Sequence, residues 1–378
     1  MPFQPTVIGQ LMKSLPRRVF EAAVEGRAKW GLSDWAHLVT LVMAQIAGVR
    51  SLRDLERLVA HHRGALSHLA VSGVRRSTLA DANQTRSTVP FEAVAAHISG
   101  LIARHAPGLS REALRLVDAT RIHAGQAVRD WAVDGALKLH VMLDPILQRT
   151  VCFAVTSARV NDITPAKLFP IEAGLTYVFD RGYYDFGFWA RLHAAGCRFV
   201  TRLKKNTPIS NARLRRVPRQ ATHVLSDSVG WLPMRLCHSR RNPFSAKVRV
   251  ITVEISSGRI IELVTNDLKT PAVEIARLYK ARWDIELFFK WIKQNLKIQH
   301  FLGTSRNAVT LQIIAALIGF LLVRLAQLLA RSSLTLQEAF RIISAMLLQR
   351  RSLHDLLHPL PSPTNPTGQH AQLALAIT

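Results

Sequence analysis

Apolar positions over the first 110 or so residues recur at helical spacing and are punctuated by cap and turn residues, which predicts an all-helical start to the chain. Asp34 is placed to cap a helix over residues 35–48, which stops near Gly48. Ser51 opens a second helix over residues 51–62, with Asp54 three positions on as its capping-box partner. Ser77 is a candidate cap for residues 78–87, and a further helix is expected from Phe91 to His105.

From Leu114 the periodicity shortens. Residues 114–118 read as a short strand ending in a carboxylate, Asp118. Residues 137–144 and 149–158 read as the next two strands, joined by a turn at Pro145. A helical piece over 164–174 leads to residues 175–179, an apolar strand followed by Asp180. Another helix, 186–196, feeds a strand at 198–203. Three strands, then helix, strand, helix, strand, is the order expected of an RNase H-like core. Four strand-like stretches follow, at 223–229, 231–236, 247–256 and 259–266, and read as a β-rich insertion outside the central sheet. Helix returns at Pro271 and continues to about Gln349. The very apolar stretch 308–330 is interrupted by Gln312, Arg324 and Gln327, and its unbroken part is short for a membrane span of about 20 residues, so a buried core helix is expected.

The fold class is therefore α/β. Residues 1–110 are expected to form a helical N-terminal domain, either DNA-binding or an ordinary helical bundle, 111–203 the first part of an RNase H-like catalytic core, and 204–275 a β-rich insertion. Residues 276–349 form the second part of the core with C-terminal helices, and 350–378 a Pro-rich disordered tail.

Charge changes the picture. Fifty Lys and Arg against twenty-five Asp and Glu give a formal charge of +25 in 378 residues. A globular chain that basic usually meets a polyanion, because neutralising phosphates releases counterions. Nucleic acid is the favoured partner; ribosome association, attraction to a membrane surface and an Arg-favouring genome are the alternatives. Cys152, Cys197 and Cys237 lack metal-binding or disulfide spacing, and the N-terminus lacks a signal peptide, so a bacterial cytoplasmic, nucleoid-associated location without membrane partners is expected.

Acidic residues placed after apolar strands bring in chemistry. Phosphodiester cleavage uses paired divalent ions held by carboxylates, and magnesium prefers such hard oxygen ligands. Asp118 and Asp180 are two candidates, although each alone is equally a turn or cap residue. Tyr279, Arg282, Glu286 and Lys293 have the spacing Y-x2-R-x3-E-x6-K. On one continuous helix those steps share a face, with Ile285, Phe288, Ile292 and Leu296 as the apolar stripe behind it. Glu286 is then the third catalytic and metal-binding acid, while Tyr279, Arg282 and Lys293 suit DNA phosphates. The competing reading is a solvated helix face.

Together, Val117-Asp118-Ala119-Thr120, Phe179-Asp180-Arg181-Gly182-Tyr183 and the Y-R-E-K helix resemble the DDE transposases of the insertion-sequence-four family over most of the chain. Residues 76–83 also resemble segments found ahead of that catalytic core. Ala119 stands where the family often has Ser. The resemblance implies binding of double-stranded terminal inverted repeats and target DNA, and cut-and-paste movement through nicking, hairpin formation and strand transfer. It also implies Mg2+, with Mn2+ as a substitute, and a homodimer in the DNA complex. Asn83, Gln84 and Arg86 are candidates for base contacts, or the polar face of an ordinary bundle. Lys204 and Lys205 are candidates for the DNA backbone, or a solvated loop. Trp231 is a candidate platform for a flipped base, or a core residue. The remaining alternatives are a catalytically inactive DNA-binding relative and a structure-specific RNase H-like nuclease.

Overall fold

The computed structural model describes residues 4–26, 31–69, 71, 74–106, 114–123, 131, 135–235, 241–255, 257–295 and 301–358. Leu296, Cys237 and the Pro-rich stretch after His358 lie outside the described residues. The chain opens with seven described helices, α1 Val7–Met12, α2 Arg17–Ala23, α3 Asp34–Ala47, α4 Leu52–His61, α5 Arg63–Leu66, α6 Arg76–Thr85 and α7 Val89–His105. Their ends follow cap chemistry. Ser33, not Asp34, caps α3 by accepting the Ala36 amide, and α3 ends on Gly48 in the left-handed region (φ 66°). Ser51 caps α4 through the Asp54 amide. Ser77 lies inside α6, which starts one residue earlier.

Five strands and two helices come next: β1 Leu114–His123, β2 Ala136–Asp144, β3 Arg149–Ser157, α8 Ile163–Ala166, β4 Thr176–Phe179, α9 Phe186–Ala194 and β5 Arg198–Arg202. Then follow β6 Ser210–Leu214, β7 Val224–Trp231, β8 Lys247–Glu254 and β9 Ile260–Thr265, and finally α10 Ala272–Lys280, α11 Trp283–Asn295, α12 Arg306–Leu329, α13 Leu336–Met346 and α14 Leu353–Leu357. All nine strands belong to one sheet, in the order β3-β2-β1-β4-β5-β9-β8-β7-β6. β1 runs antiparallel to β2 and parallel to β4, and β4 runs parallel to β5.

Several expectations are corrected. The β-rich segment is not outside the central sheet, because β9 pairs antiparallel with β5 and carries the ladder onward. Leaving β5 unpaired would have exposed a row of backbone donors and acceptors. The strand expected at 231–236 is absent: β7 ends at Trp231 and Pro233 follows it. β6 was not foreseen, since all five of its residues are exposed and show no alternation. β1 runs five residues past Asp118, held by β2 alone.

The N-terminal helices share one hydrophobic core with the C-terminal ones. α12 packs against α3, α6, α7 and β3, while the Val7 and Ile8 amides donate to the carbonyls of Gln349 and Leu347 at 2.9 Å. Residues 350–358 are not part of a disordered tail: Ser352 caps α14, and its Leu357 is buried. Among the described residues α12 alone is, as a single helix, long and apolar enough to cross a membrane. Its most apolar window is 94% buried inside the protein, as the core-helix expectation requires.

Candidate active site

β1 and β4 set the first two acids side by side. Val117 pairs with Phe179 in parallel register, so Asp118 and Asp180, the next residues, stand at the same level on neighbouring strands, about 5 Å apart along the hydrogen-bond direction. Apolar flanks bury both strands, so each carboxylate is presented where its strand leaves full burial. Asp180 Oδ1 accepts the Gly182 amide at 2.8 Å. A side chain at Gly182 would meet that oxygen at 2.9 Å and Asp162 Oδ2 at 3.3 Å, so this turn has no room for a Cβ.

The third acid arrives from α11, which packs across β1 through Ile285, Phe288 and Ile292, all buried. The helix predicted over 279–293 is broken. α10 ends at Lys280, Ala281 and Arg282 form a turn, and α11 starts at Trp283. The four signature residues therefore do not share one helix face. The turn brings them together by another route. Arg282 Nη1 lies 2.7 Å from Glu286 Oε1 and 3.7 Å from Asp118 Oδ2, and its guanidinium carbon is 5.9 Å from the Tyr279 ring centre. Lys293 donates to Thr120 Oγ1 at 2.7 Å, fixing the far end of α11 to β1. Between them lies a cleft of about 520 Å³ lined by Asp118, Thr120, Glu286, Phe289, Lys290 and Lys293.

The electrostatics are those of crowded carboxylates. The Asp118 side chain is only 15% exposed. Burial pushes its carboxyl up to about 7, with Asp180 and Glu286 acting the same way, against the Ala119 amide and Arg282. Burial likewise lowers Lys293. Tyr183 is fully buried with no hydrogen-bond partner for its hydroxyl among the described residues. Burial raises it well above the ordinary phenol range, and Asp118, Asp162 and Asp180 act in the same direction.

A family model described as the transposase DDE domain matches residues 110–322, which takes in all three acids. The chain belongs to the DDE transposases. Residues 4–72 match a second model, described as a domain of unknown function (DUF4372). Relatives agree. A Sinorhizobium fredii protein bearing the name transposase y4zB is 36% identical over 76% of this chain and 81% of its own length. A Geobacillus stearothermophilus protein named as a transposase for the insertion sequence element IS5377 is 31% identical over 56% of each. A solved synaptic complex of the piggyBac transposase with hairpin DNA aligns with 94% of this chain and 84% of that one at 10% identity and a TM-score of 0.42, too loose a likeness to bear on the fold.

In this DDE transposase Asp118 and Glu286 line the cleft and Asp180 stands beside Asp118 on the neighbouring strand; carboxylates are the donors a hard divalent ion takes. As placed, no group of three His, Cys, Asp or Glu side chains among the described residues lies within metal-holding distance. Arg282 instead spans Asp118 and Glu286 and partly neutralises them.

The other sequence candidates divide. Lys204 and Lys205 are exposed just beyond β5, at the same end of the sheet as Asp180, and Lys204 Nζ sits 4.6 Å over the Tyr184 ring. Asn83 is withdrawn as a base contact: it is buried, and its side-chain oxygen bonds His37 Nε2 at 2.7 Å. Arg86 is likewise committed inward, to Asp34 at 3.2 Å and to the carbonyls of Ser33 and Leu32. Gln84 alone of that trio is exposed. Trp231 is also withdrawn. The ladders put Asp180 level with Asp227 of β7, whereas Trp231 pairs with Lys247 four residues further along, at the level where β4 begins, and three strands out from β5.

Two residues near the acids were missed. Arg202 is the cross-strand neighbour of Asp180, and its Nε has no hydrogen-bond partner among the described residues. Burial pushes its guanidinium below the usual arginine value, and Arg181, Arg259 and Arg282 act the same way. Trp283 is 59% exposed beside Arg282, with the guanidinium carbon 6.0 Å from its ring. Its direct succession to Arg282 was the only signal available in the sequence.

Proposed function

We propose that the chain is an insertion-sequence-four-type transposase that binds the terminal inverted repeats of its element and moves it by metal-dependent cut-and-paste. The observation carrying this reading is the placement of Asp118 and Asp180 at one level on adjacent parallel strands, with Glu286 held over them through Arg282. The order β3-β2-β1-β4-β5, with β2 antiparallel to its neighbours, supports an RNase H-like core, and β6 to β9 then form its insertion.

Asp118, Asp180 and Glu286 would hold Mg2+, or Mn2+ in its place, with Mn2+ accepting the same ligands. When bound, the ions polarise the scissile phosphate and lower the pKa of the attacking water. The chain supplies the remaining contacts. Arg202, Arg282 and Tyr279 form a cationic and phenolic wall beside the acids that suits the phosphates of the DNA end. Lys204 and Lys205 extend that wall along the backbone. Trp283, exposed beside Arg282, offers an aromatic platform nearer the acids than Trp231. In the first step water adds to phosphorus at the element's end, the P–O3′ bond breaks, and a 3′-hydroxyl is freed. That hydroxyl attacks a phosphorus of the opposite strand, expelling the flanking DNA's 3′-oxygen and closing a hairpin; water reopens the hairpin, and the freed 3′-hydroxyl attacks a target phosphorus and expels a target 3′-oxygen. Two ends must be paired for joining, so a homodimer is expected in the DNA complex.

The test uses purified protein, labelled duplexes carrying the element's own ends, and Mg2+ or Mn2+. Cleavage at the repeat end should be lost in Asp118→Asn, Asp180→Asn and Glu286→Gln while DNA binding survives. Wild-type protein that binds without cutting in either metal would favour an inactive DNA-binding relative. Cutting that persists in the variants would put the active site elsewhere.

A further inference from the structure

Residues 4–72 carry no assigned role, and α3 and α4 lie within them. The two helices meet at 98° across the four residues 48–51. Gly48 takes the left-handed conformation that lets the chain turn, and Ser51 caps the second helix. Two helices crossing at about 90–120° through a turn of three or four residues that contains glycine is the geometry of a helix-turn-helix unit.

The burial pattern assigns the two helices different tasks. α3 is buried along nearly its whole length and serves the core. α4 buries Leu55 and Val59 and leaves its opposite face open. On that face Arg53, Arg57 and Ala60 follow one another at steps of four and three, so they form one stripe, with Arg50 just ahead in the turn. All four are exposed. Arg50, Arg53 and Arg57 have no carboxylate partner among the described residues. The acids of α4 flank the stripe without pairing with it among the described residues: Asp54 accepts from the Ser51 hydroxyl at 2.7 Å, and Glu56 is half-buried. Unpaired guanidinium groups one turn apart, beside a small residue that permits close approach, suit the floor and phosphate rims of a major groove.

We propose that α3, the turn and α4 form the duplex-reading unit of this protein, with α4 entering the major groove of the terminal repeat. The proposal rests on the transposase reading above, and it moves the DNA contact from α6, whose Asn83 and Arg86 are occupied inside the protein, to α4.

The test is fluorescence anisotropy of the full chain on a labelled duplex of the element's end and on a scrambled duplex, across salt concentrations. Arg53→Ala/Arg57→Ala should lower affinity for the repeat by about tenfold or more and bring it near that for the scrambled duplex. The slope of log affinity against log salt should shrink by about two. Thermal melting should stay at the wild-type value, because both side chains are exposed. Arg53→Lys/Arg57→Lys should keep most of the slope yet lose discrimination, since an ammonium lacks the bidentate fork. Arg17→Ala, an exposed cation on α2, should change little. Wild-type affinity and slope in the double alanine variant, with wild type still cutting the repeat, would overturn this inference and leave the transposase reading standing. Wild type that neither binds nor cuts the duplex would overturn both.

Discussion

Arg282 Nη1 lies 2.7 Å from Glu286 Oε1, one helical turn on, and the same nitrogen lies 3.7 Å from Asp118. One guanidinium nitrogen thus stands between two carboxylates from different elements, bonded to Glu286 and facing Asp118 across the longer gap. Arg282→Ala should leave the acids to repel one another and remove a phosphate contact. We expect cleavage of a repeat-ended duplex to fall by about a hundredfold or more, in line with loss of a positioned charge-stabilising group. Arg282→Lys should recover only a small part, because an ammonium on a shorter stem lacks the guanidinium's remaining donors for a phosphate. Single-turnover cleavage decides it, and a fully active lysine variant would refute the bridging role.

Asp118 is held in the fold against its own preference. Burial, with Asp180 and Glu286 nearby, pushes its carboxyl up to about 7. At pH 8 the folded chain carries that charge at a cost the unfolded chain does not bear. Asp118→Asn should therefore raise the melting temperature of the metal-free protein while abolishing cleavage, with a gain of up to a few kcal/mol from the size of the shift. Calorimetry at pH 8 in EDTA measures it. A drop in melting temperature would mean that the carboxylate serves the fold as well as the chemistry.

Asp227 and Arg249 form a fully buried two-pronged pair between β7 and β8, at 2.8 and 2.7 Å, and Arg249 also donates to the Thr270 carbonyl. Removing one partner leaves the other charge buried, so Asp227→Ala should cost about 3–5 kcal/mol. Replacing both with Leu and Met should recover most of that loss. Urea denaturation of wild type and the two variants checks this, and equal losses in the single and double variants would speak against an unpaired-charge penalty.

The placement of Asp118, Asp180 and Glu286 in the fold was legible because each position announces itself locally. Asp118 follows Leu114–Val117, Asp180 follows Thr176–Phe179, and Glu286 sits among the apolar positions that seat α11. What could not be read depends on partners distant in sequence. The break at Ala281 and Arg282 contains no Pro or Gly, and residues 279–285 are otherwise compatible with continuous helix; packing and the bridge to Asp118 favour the turn. Asn83 looked available because polar side chains usually face water, yet His37 provides its buried partner 46 positions away. Continuity of the sheet from β5 into β9 is a pairing across 60 residues with no signal in either strand alone. Arg202 gained meaning only once its strand stood next to Asp180.

His37 gives the chain a pH dependence whose sign follows from its burial. The ring is fully buried, and desolvation pushes it down to about 4, against the opposing bond to Asn83. An unfolded histidine titrates near 6.5. Above that value neither state holds the proton, and the contribution is constant. Between about 6.5 and 4 the unfolded chain takes the proton and the folded chain does not, so stability falls as pH falls. Below about 4 both are protonated and the loss levels off. At pH 5 the loss should be about 2 kcal/mol. His140, also pushed down to about 4 by burial, acts in the same direction. Asp118, pushed up to about 7, acts in the opposite direction, because the folded state binds its proton first. A comparison between two proteins that share those groups cancels them. His37→Gln keeps a donor for Asn83 and has no charge to gain, so its urea midpoint relative to wild type should move upward between pH 7.5 and pH 5. A gap between the two proteins that stays constant over that range would show that His37 does not stay neutral in the fold.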